Sequence, residues 1–368
     1  MSDSLAQFRD FLAEALPADY AAEYDRYRDD EDLRTRFQAA MFDEGWLLPE
    51  WPRDLGGRDL SVTDALTIRI EGARLRIPRQ MNIQAAGVVA PAIRTFGTPE
   101  QKERHLRPTL RGEAWWALGM SEPGAGSDLA SLRTTAVRRG DVFVVNGQKV
   151  WTTQADSARW CTLYARTDPD VPKHRGISCL IVDMDAPGIT VRRIRTAGPS
   201  IESFCEVFFD DVEVPVDALL GDENEGWKVA MSALEHERDM IWIHNWLEMQ
   251  RALAPVLDGT SSAAHAHERL GRLIADTQAI RLTGIRSVGA RTAGQASPVA
   301  GILKLFGSES VQAAAALALE LGAADGAAPL DRFDEYLESL AATIYGGTSE
   351  VLRGIIAERG LGLPRAGR

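Results

Sequence analysis

Cysteine is scarce in this chain, and the little there is does not organise it. Cys161, Cys179 and Cys205 are odd in number and lack metal-ligand spacing, so neither a disulfide framework nor a zinc module underlies the fold, and no metal is expected. They read as small core residues in a reducing compartment. Positive charge is also in short supply: 41 Lys and Arg stand against 53 Asp and Glu, a net charge of -12, which argues against a nucleic-acid backbone as partner. No uncharged apolar run reaches the roughly 20 residues of a membrane span. The start, Met1 to Phe8, has no basic patch followed by an apolar stretch, so the expected location is cytoplasmic. Internal repeats and low-complexity linkers are missing too.

What remains is an ordinary globular composition, 45% hydrophobic, in 368 residues. That length exceeds one ordinary core and predicts two or three packed domains able to enclose a dry site. Leu5, Phe8, Leu12 and Leu16 recur at helical spacing, as do Leu33, Phe37 and Met41. Thr98-Pro99-Glu100-Gln101 carries an N-cap, a proline at the first helical position and a capping-box glutamine, so a helix starts there. Trp51 to Gly57 reads as a loop.

From about residue 117 the pattern changes to short apolar runs, 142–145, 160–164, 177–182 and 207–214, which are predicted strands. Asn146-Gly147 between two such runs predicts a type I′ hairpin turn. Helical spacing returns after Gly226, is interrupted at Asp258 to Ser262 and around Gly322 to Pro329, and ends with Val351, Leu352, Ile355 and Ile356 before Gly360 and Pro364. Helices, then strands, then helices argue for separate layers rather than an alternating parallel α/β fold.

Three segments carry the chemistry. Ser121-Glu122-Pro123-Gly124-Ala125-Gly126-Ser127-Asp128 leaves backbone amides free to approach phosphates or a flat ring, although alone such a run is only a turn. Gly147-Gln148-Lys149-Val150-Trp151-Thr152-Thr153 offers an indole for stacking, although a strand Trp is more often core. Tyr345-Gly346-Gly347-Thr348-Ser349-Glu350 opens the last helix, whose amides favour an anion or an electron-rich ring; a plain N-cap explains it equally well.

In this order and separation, the three segments resemble the acyl-CoA dehydrogenase family. The likeness extends over nearly the whole chain, through Gly45-Trp46 to Gly56-Gly57, Phe96 to Lys102, Phe208 to Pro215, Gly221 to Trp227 and Ile355 to Arg359. It implies an α+β, mainly α architecture: an N-terminal helical domain (1–116), a middle β-barrel or sandwich domain (117–220) and a C-terminal four-helix bundle (221–368). It also implies FAD, with Leu118, Met120, Ser121, Trp151 and Thr153 around the isoalloxazine. Gly126 and Ser127 approach the cofactor or thioester, and Thr348 and Glu350 touch the flavin's polar chain. The implied reaction is removal of the pro-R α-proton of an acyl thioester by a carboxylate as the β-hydride passes to flavin N5, giving a trans-2-enoyl thioester.

Many family members carry the base directly after the tyrosine of the last segment, where this chain has Gly346. Long-chain and isovaleryl-type relatives place it on an earlier helix in a Glu-Arg pair, matched by Glu237-Arg238. The residues agree independently: Ala230, Ala233, Leu234, Met240, Ile241, His244 and Leu247 trace one largely apolar stripe containing Glu237. A carboxylate in such a stripe is desolvated toward the pKa of a general base. An ion pair with Arg238, or a wet helix face, is the competing reading. Ser127, Arg238, His244 and Tyr345 are the candidate substrate contacts, with a core role the commoner one for a His such as His244.

The family's Arg-x-x-Phe-Gly segment, by which a neighbouring subunit grips the FAD pyrophosphate, is missing; Pro255 to Ser262 stands in its place. Ile302 to Leu305 resembles actinobacterial-type members, some of which work with a diverged partner chain. The implied partners are an acyl-CoA of branched, long or bulky type, an electron-transfer flavoprotein, and copies or a paralogue in a dimer or tetramer. Two other readings share these residues: a relative that uses oxygen or a carrier-bound thioester, and a non-catalytic partner subunit.

Overall fold

The computed structural model describes residues 3–198, 203–257, 266–292, 299–324 and 330–364, with the side chains of 235–240, 255–256, 291–292, 322–324 and 330–331 outside the described set. The chain forms two compact units, one comprising Met1–Thr196 with Ile201–His236 and the other Ala197–Ser200 with Glu237–Arg368.

The first unit opens with helices α1 (Asp3–Ala15), α2 (Tyr24–Tyr27), α3 (Glu31–Asp43), α4 (Val62–Arg74), α5 (Ala90–Phe96) and α6 (Pro99–Leu110). The apolar positions read from the sequence face one core: Phe8 and Leu12 of α1 meet Phe37 and Met41 of α3. The expected capping box is formed, the Thr98 hydroxyl accepting from the Gln101 amide and the Gln101 side chain accepting from the Thr98 amide. The Gln101 side-chain amide then donates to the carbonyls of Asp217 and Leu219, tying α6 to the far end of the β region.

Among the described residues seven strands follow: β1 (Trp116–Gly119), β2 (Thr135–Arg139), β3 (Val142–Thr153), β4 (Trp160–Arg166), β5 (Ile177–Asp183), β6 (Ile189–Ile194) and β7 (Phe204–Pro215). They form one sheet in the order β1-β4-β2-β3-β7-β6, with β5 paired to β4. Phe143, Val145, Cys161, Leu163, Val182, Val207 and Val212 fill its core. The four predicted runs are β3, β4, β5 and β7. The three cysteines are free and buried.

The predicted hairpin at Asn146-Gly147 does not exist. Both residues lie inside β3, which pairs along its length with β7, and a register shift between Val145 and Gly147 marks a bulge. Glycine is needed there for close approach rather than for turning, since a Cβ on Gly147 would stand 2.4 Å from the Thr134 hydroxyl. Asn146 closes the bulge by accepting from the Asp211 amide. The turn actually lies at Gly140-Asp141, between β2 and β3.

In the second unit, α8 (His267–Thr292) and α10 (Leu330–Ala342) pack on α9 (Val299–Ala324), the short α11 (Ser349–Ile355) lies on α9, and the part of α7 (Gly226–Leu257) from residue 237 onward meets α8 and α9 through Trp242 and Asn245. Two glycines permit the close packing: a Cβ on Gly284 of α8 would meet the Trp242 ring at 2.3 Å, and one on Gly307 of α9 the Asn245 amide at 2.5 Å. Among the described residues, Val299–Leu321 is the one helix long and apolar enough to cross a membrane. It carries Lys304 and Glu309, and Leu303, Ala314, Leu317 and Leu321 are buried in the bundle. The predicted helix breaks at Asp258 to Ser262 and around Gly322 to Pro329 fall largely outside the described residues.

His105 of α6 is buried edge-on against Trp116 and Trp160, at 5.3 and 4.8 Å between ring centroids. Burial, helped by the charge of Arg104, lowers its pKa from 6.5 to about 4. The fold therefore resists a proton that the unfolded chain accepts, so stability is full above about pH 6.5 and falls as pH drops toward about 4. Thermal unfolding midpoints should decline over that window, and the decline should be shallower in His105→Gln.

Candidate functional site

The run singled out in the sequence leaves β1 through Met120 and Ser121. Glu122 and Ala125 bond each other's backbone at 3.0 and 3.1 Å, which closes a tight loop with Pro123 and Gly124 exposed at its tip. The Glu122 side chain turns inward. Its carboxylate accepts from the Lys149 ammonium at 2.9 Å and from the backbone amides of Arg133 and Thr134 at 2.6 and 2.9 Å. Lys149, fully buried on β3, also donates to the Met120 carbonyl at 3.0 Å. Burial alone would raise the Glu122 pKa, but the Lys149 charge and these hydrogen bonds outweigh it and hold the carboxyl below its usual range. Burial also lowers the pKa of the Lys149 ammonium, with Glu122 opposing.

This clamp sets the loop beside the second segment, where the Val150 amide donates to the Ser121 carbonyl at 2.9 Å. Between Lys149 and Thr152, three steps of β3 face two steps of β7, from Val207 to Cys205. Trp151 absorbs the mismatch in a left-handed conformation, φ 58°, with its side chain 59% exposed and edge-on to Phe204. A bulky residue held left-handed with its ring presented outward is strained, and such strain persists where the surroundings over-determine it. Gln84 supplies part of that support by donating to both the Trp116 and Thr153 carbonyls, at 3.1 and 2.9 Å. Asn82 accepts from the Trp116 amide and donates to Gln154, itself left-handed at φ 53°.

The first unit thus brings Leu118, Met120, Ser121, Trp151 and Thr153 together around the junction of β1 and β3. Gly126 and Ser127 stand on the exposed loop, and a Cβ on Gly126 would meet nothing within 4 Å. An outward aromatic face beside a loop lined by backbone groups fits a flat heteroaromatic ring such as flavin.

The second unit carries the remaining candidates. Thr348 caps α11 by accepting from the Val351 amide, and Glu350 lies in the first turn. The Glu350 carboxyl is held below its usual range by its own backbone amide and by the Thr348 hydroxyl. Tyr345 is 45% exposed, ahead of the left-handed glycines Gly346 and Gly347. The side chain of His244 is also exposed, so the common core role does not hold for it. Trp242, Ile243, Trp246 and Met249 form the buried face of this part of α7. Glu237 and Arg238 lie on α7, with side chains outside the described residues. Among the described residues no cluster of His, Cys, Asp or Glu could hold a metal ion.

Residues 3–113, 117–212 and 224–361 match the N-terminal, middle and C-terminal domains of acyl-CoA dehydrogenases. The chain belongs to the acyl-CoA dehydrogenase family and is an oxidoreductase; family members are generally flavoproteins that use FAD. It is 41% identical over 334 residues to the acyl-CoA dehydrogenase FadE34 of Mycobacterium tuberculosis, covering 89% of this chain and 46% of the relative, so it spans about half of that relative's length. It is 36% identical to IpdE1 of the same organism, covering 98% and 97% of the two chains. A solved structure named Tcur3481-Tcur3483 steroid ACAD superposes with a TM-score of 0.83 at 31% identity, covering 98% and 97%.

Removing one partner of a buried ion pair leaves the other charge stranded, at a cost of about 3–5 kcal/mol. Glu122→Gln should therefore lower the free energy of unfolding in urea by about that amount. Lys149→Met added to it should recover part of the loss, and strict additivity of the two single losses would show that the charges are not coupled.

Proposed function

We propose that this chain dehydrogenates an acyl-CoA thioester with FAD seated against the Ser121 to Asp128 loop and Trp151. The observation that carries this reading is Trp151: an exposed indole in a strained left-handed position, fixed beside the loop through Ser121, is a costly arrangement for a surface residue and a useful one for stacking a ring. Leu118, Met120 and Thr153 line the same junction, Gly126 and Ser127 approach the cofactor or thioester, and Thr348 and Glu350 meet the cofactor's polar chain. FAD, when bound, supplies the hydride acceptor. Glu237 takes the α-proton, since position 346 is a glycine, and Arg238, His244 and Tyr345 shape the acyl site.

The three-domain division at 116 and 220 follows the three matched segments. A bulky, steroid-like acyl group is supported by the likeness to a steroid ACAD and by a base moved away from the last turn. The joined name of that neighbour, and the small residues Pro255 to Ser262 where relatives place Arg-x-x-Phe-Gly, support assembly with a second, diverged chain. Transfer of electrons onward to an electron-transfer flavoprotein in the cytoplasm completes the proposal.

Glu237→Gln should retain its yellow flavin band while turnover falls by about 10²–10⁴-fold. Anaerobic bleaching of that band by branched, long and steroid-like acyl-CoAs reads the reaction directly. Near-normal bleaching in Glu237→Gln would remove Glu237 from the mechanism.

A further inference from the structure

One buried charge in the second unit serves no purpose yet described. Lys304 of α9 is fully buried, and its ammonium donates to the carbonyl of Ala342 at 3.0 Å and to that of Gly347 at 2.8 Å. The nitrogen lies 5.7 Å from the centroid of the Tyr345 ring. Ala342 is the last residue of α10, so the cation meets one of the carbonyls that a helix leaves unbonded, at the negative end of its dipole. Gly347 lies at the other side of the turn that leads into α11. Lys304 therefore bridges the two ends of the segment holding Tyr345, Gly346 and Gly347.

That segment has little stiffness of its own. Gly346 and Gly347 adopt φ of 65° and 105°, and two consecutive glycines carry the largest backbone freedom a chain can have. The Ser349 amide donates to the Thr343 carbonyl at 3.1 Å, which closes the turn from one side. An ammonium with three donors in a fixed place closes it from the other, and a buried cation holds carbonyl dipoles strongly because no water competes for them.

We infer that Lys304 is a positioning residue: by clamping the Ala342 and Gly347 carbonyls it sets where Tyr345 and Thr348 stand. The consequence for FAD and substrate rests on the reading that those two residues meet them; the clamp itself does not.

The test uses the full chain with Lys304→Met, which keeps length and removes charge, and Lys304→Gln, which keeps one donor group. Backbone hydrogen exchange is followed in 343–349 and in α8, and FAD affinity of the apoprotein is measured by quenching of flavin fluorescence. In Lys304→Met, exchange in 343–349 should rise at least about tenfold with α8 unchanged, the dissociation constant for FAD should rise about tenfold, and Lys304→Gln should lie between. Unchanged exchange in both variants overturns the inference, and so does equal acceleration in α8, which would make Lys304 a general support of the bundle. Local acceleration with unchanged FAD affinity upholds the clamp and overturns the placement of Thr348 at the cofactor.

Discussion

The Lys149–Glu122 pair is the constraint on which the first unit's site depends. Two charges buried together gain little stability on balance, because desolvation offsets most of their attraction. Their value here lies in what else they satisfy. Lys149 donates to the Met120 carbonyl, and Glu122 accepts from the amides of Arg133 and Thr134, so one pair satisfies three backbone groups in a loop that has no ladder of its own. The loop consequently leaves β1 in one geometry only, and Ser121 is delivered to Val150 beside Trp151.

The same device recurs at other places in the chain. Gln84 spans the carbonyls of Trp116 and Thr153, Gln101 those of Asp217 and Leu219, and Lys304 those of Ala342 and Gly347. In each case one side chain with several donors ties together backbone segments that do not pair as strands. Hydrogen bonds of this kind add modest stability individually, but leaving a buried carbonyl unpaired is expensive, so each bridge specifies geometry more than it adds free energy. The candidate residues are therefore mostly presented by segments held from behind.

Much of the helical architecture was legible because spacing and caps speak directly: Phe8 and Leu12, Phe37 and Met41, and the Thr98 box all stand where periodicity put them. The long strands were legible as apolar runs. β1, β2 and β6 were less so, since Thr135–Arg139 and Ile189–Ile194 carry too much polarity on their exposed faces to form such runs. Asn146-Gly147 misled because glycine serves both turns and close approaches, and only the Thr134 hydroxyl opposite distinguishes the two. Glu122 and Lys149 stood inside quoted motifs without announcing themselves, since a charged residue in a sequence gives no sign that its partner lies on another strand. The same holds for Gln84 and Asn82, whose targets are backbone atoms and leave no mark on residue type.

Gly346 carries a consequence of a different kind. Its backbone is left-handed, and any L-residue placed there meets a penalty of about 1–2 kcal/mol before its side chain has done anything. A glutamate introduced at position 346 would therefore start from a strained backbone. A carboxylate presented from this turn thus requires the turn itself to change, whereas a helix such as α7 can carry one without any demand on its backbone.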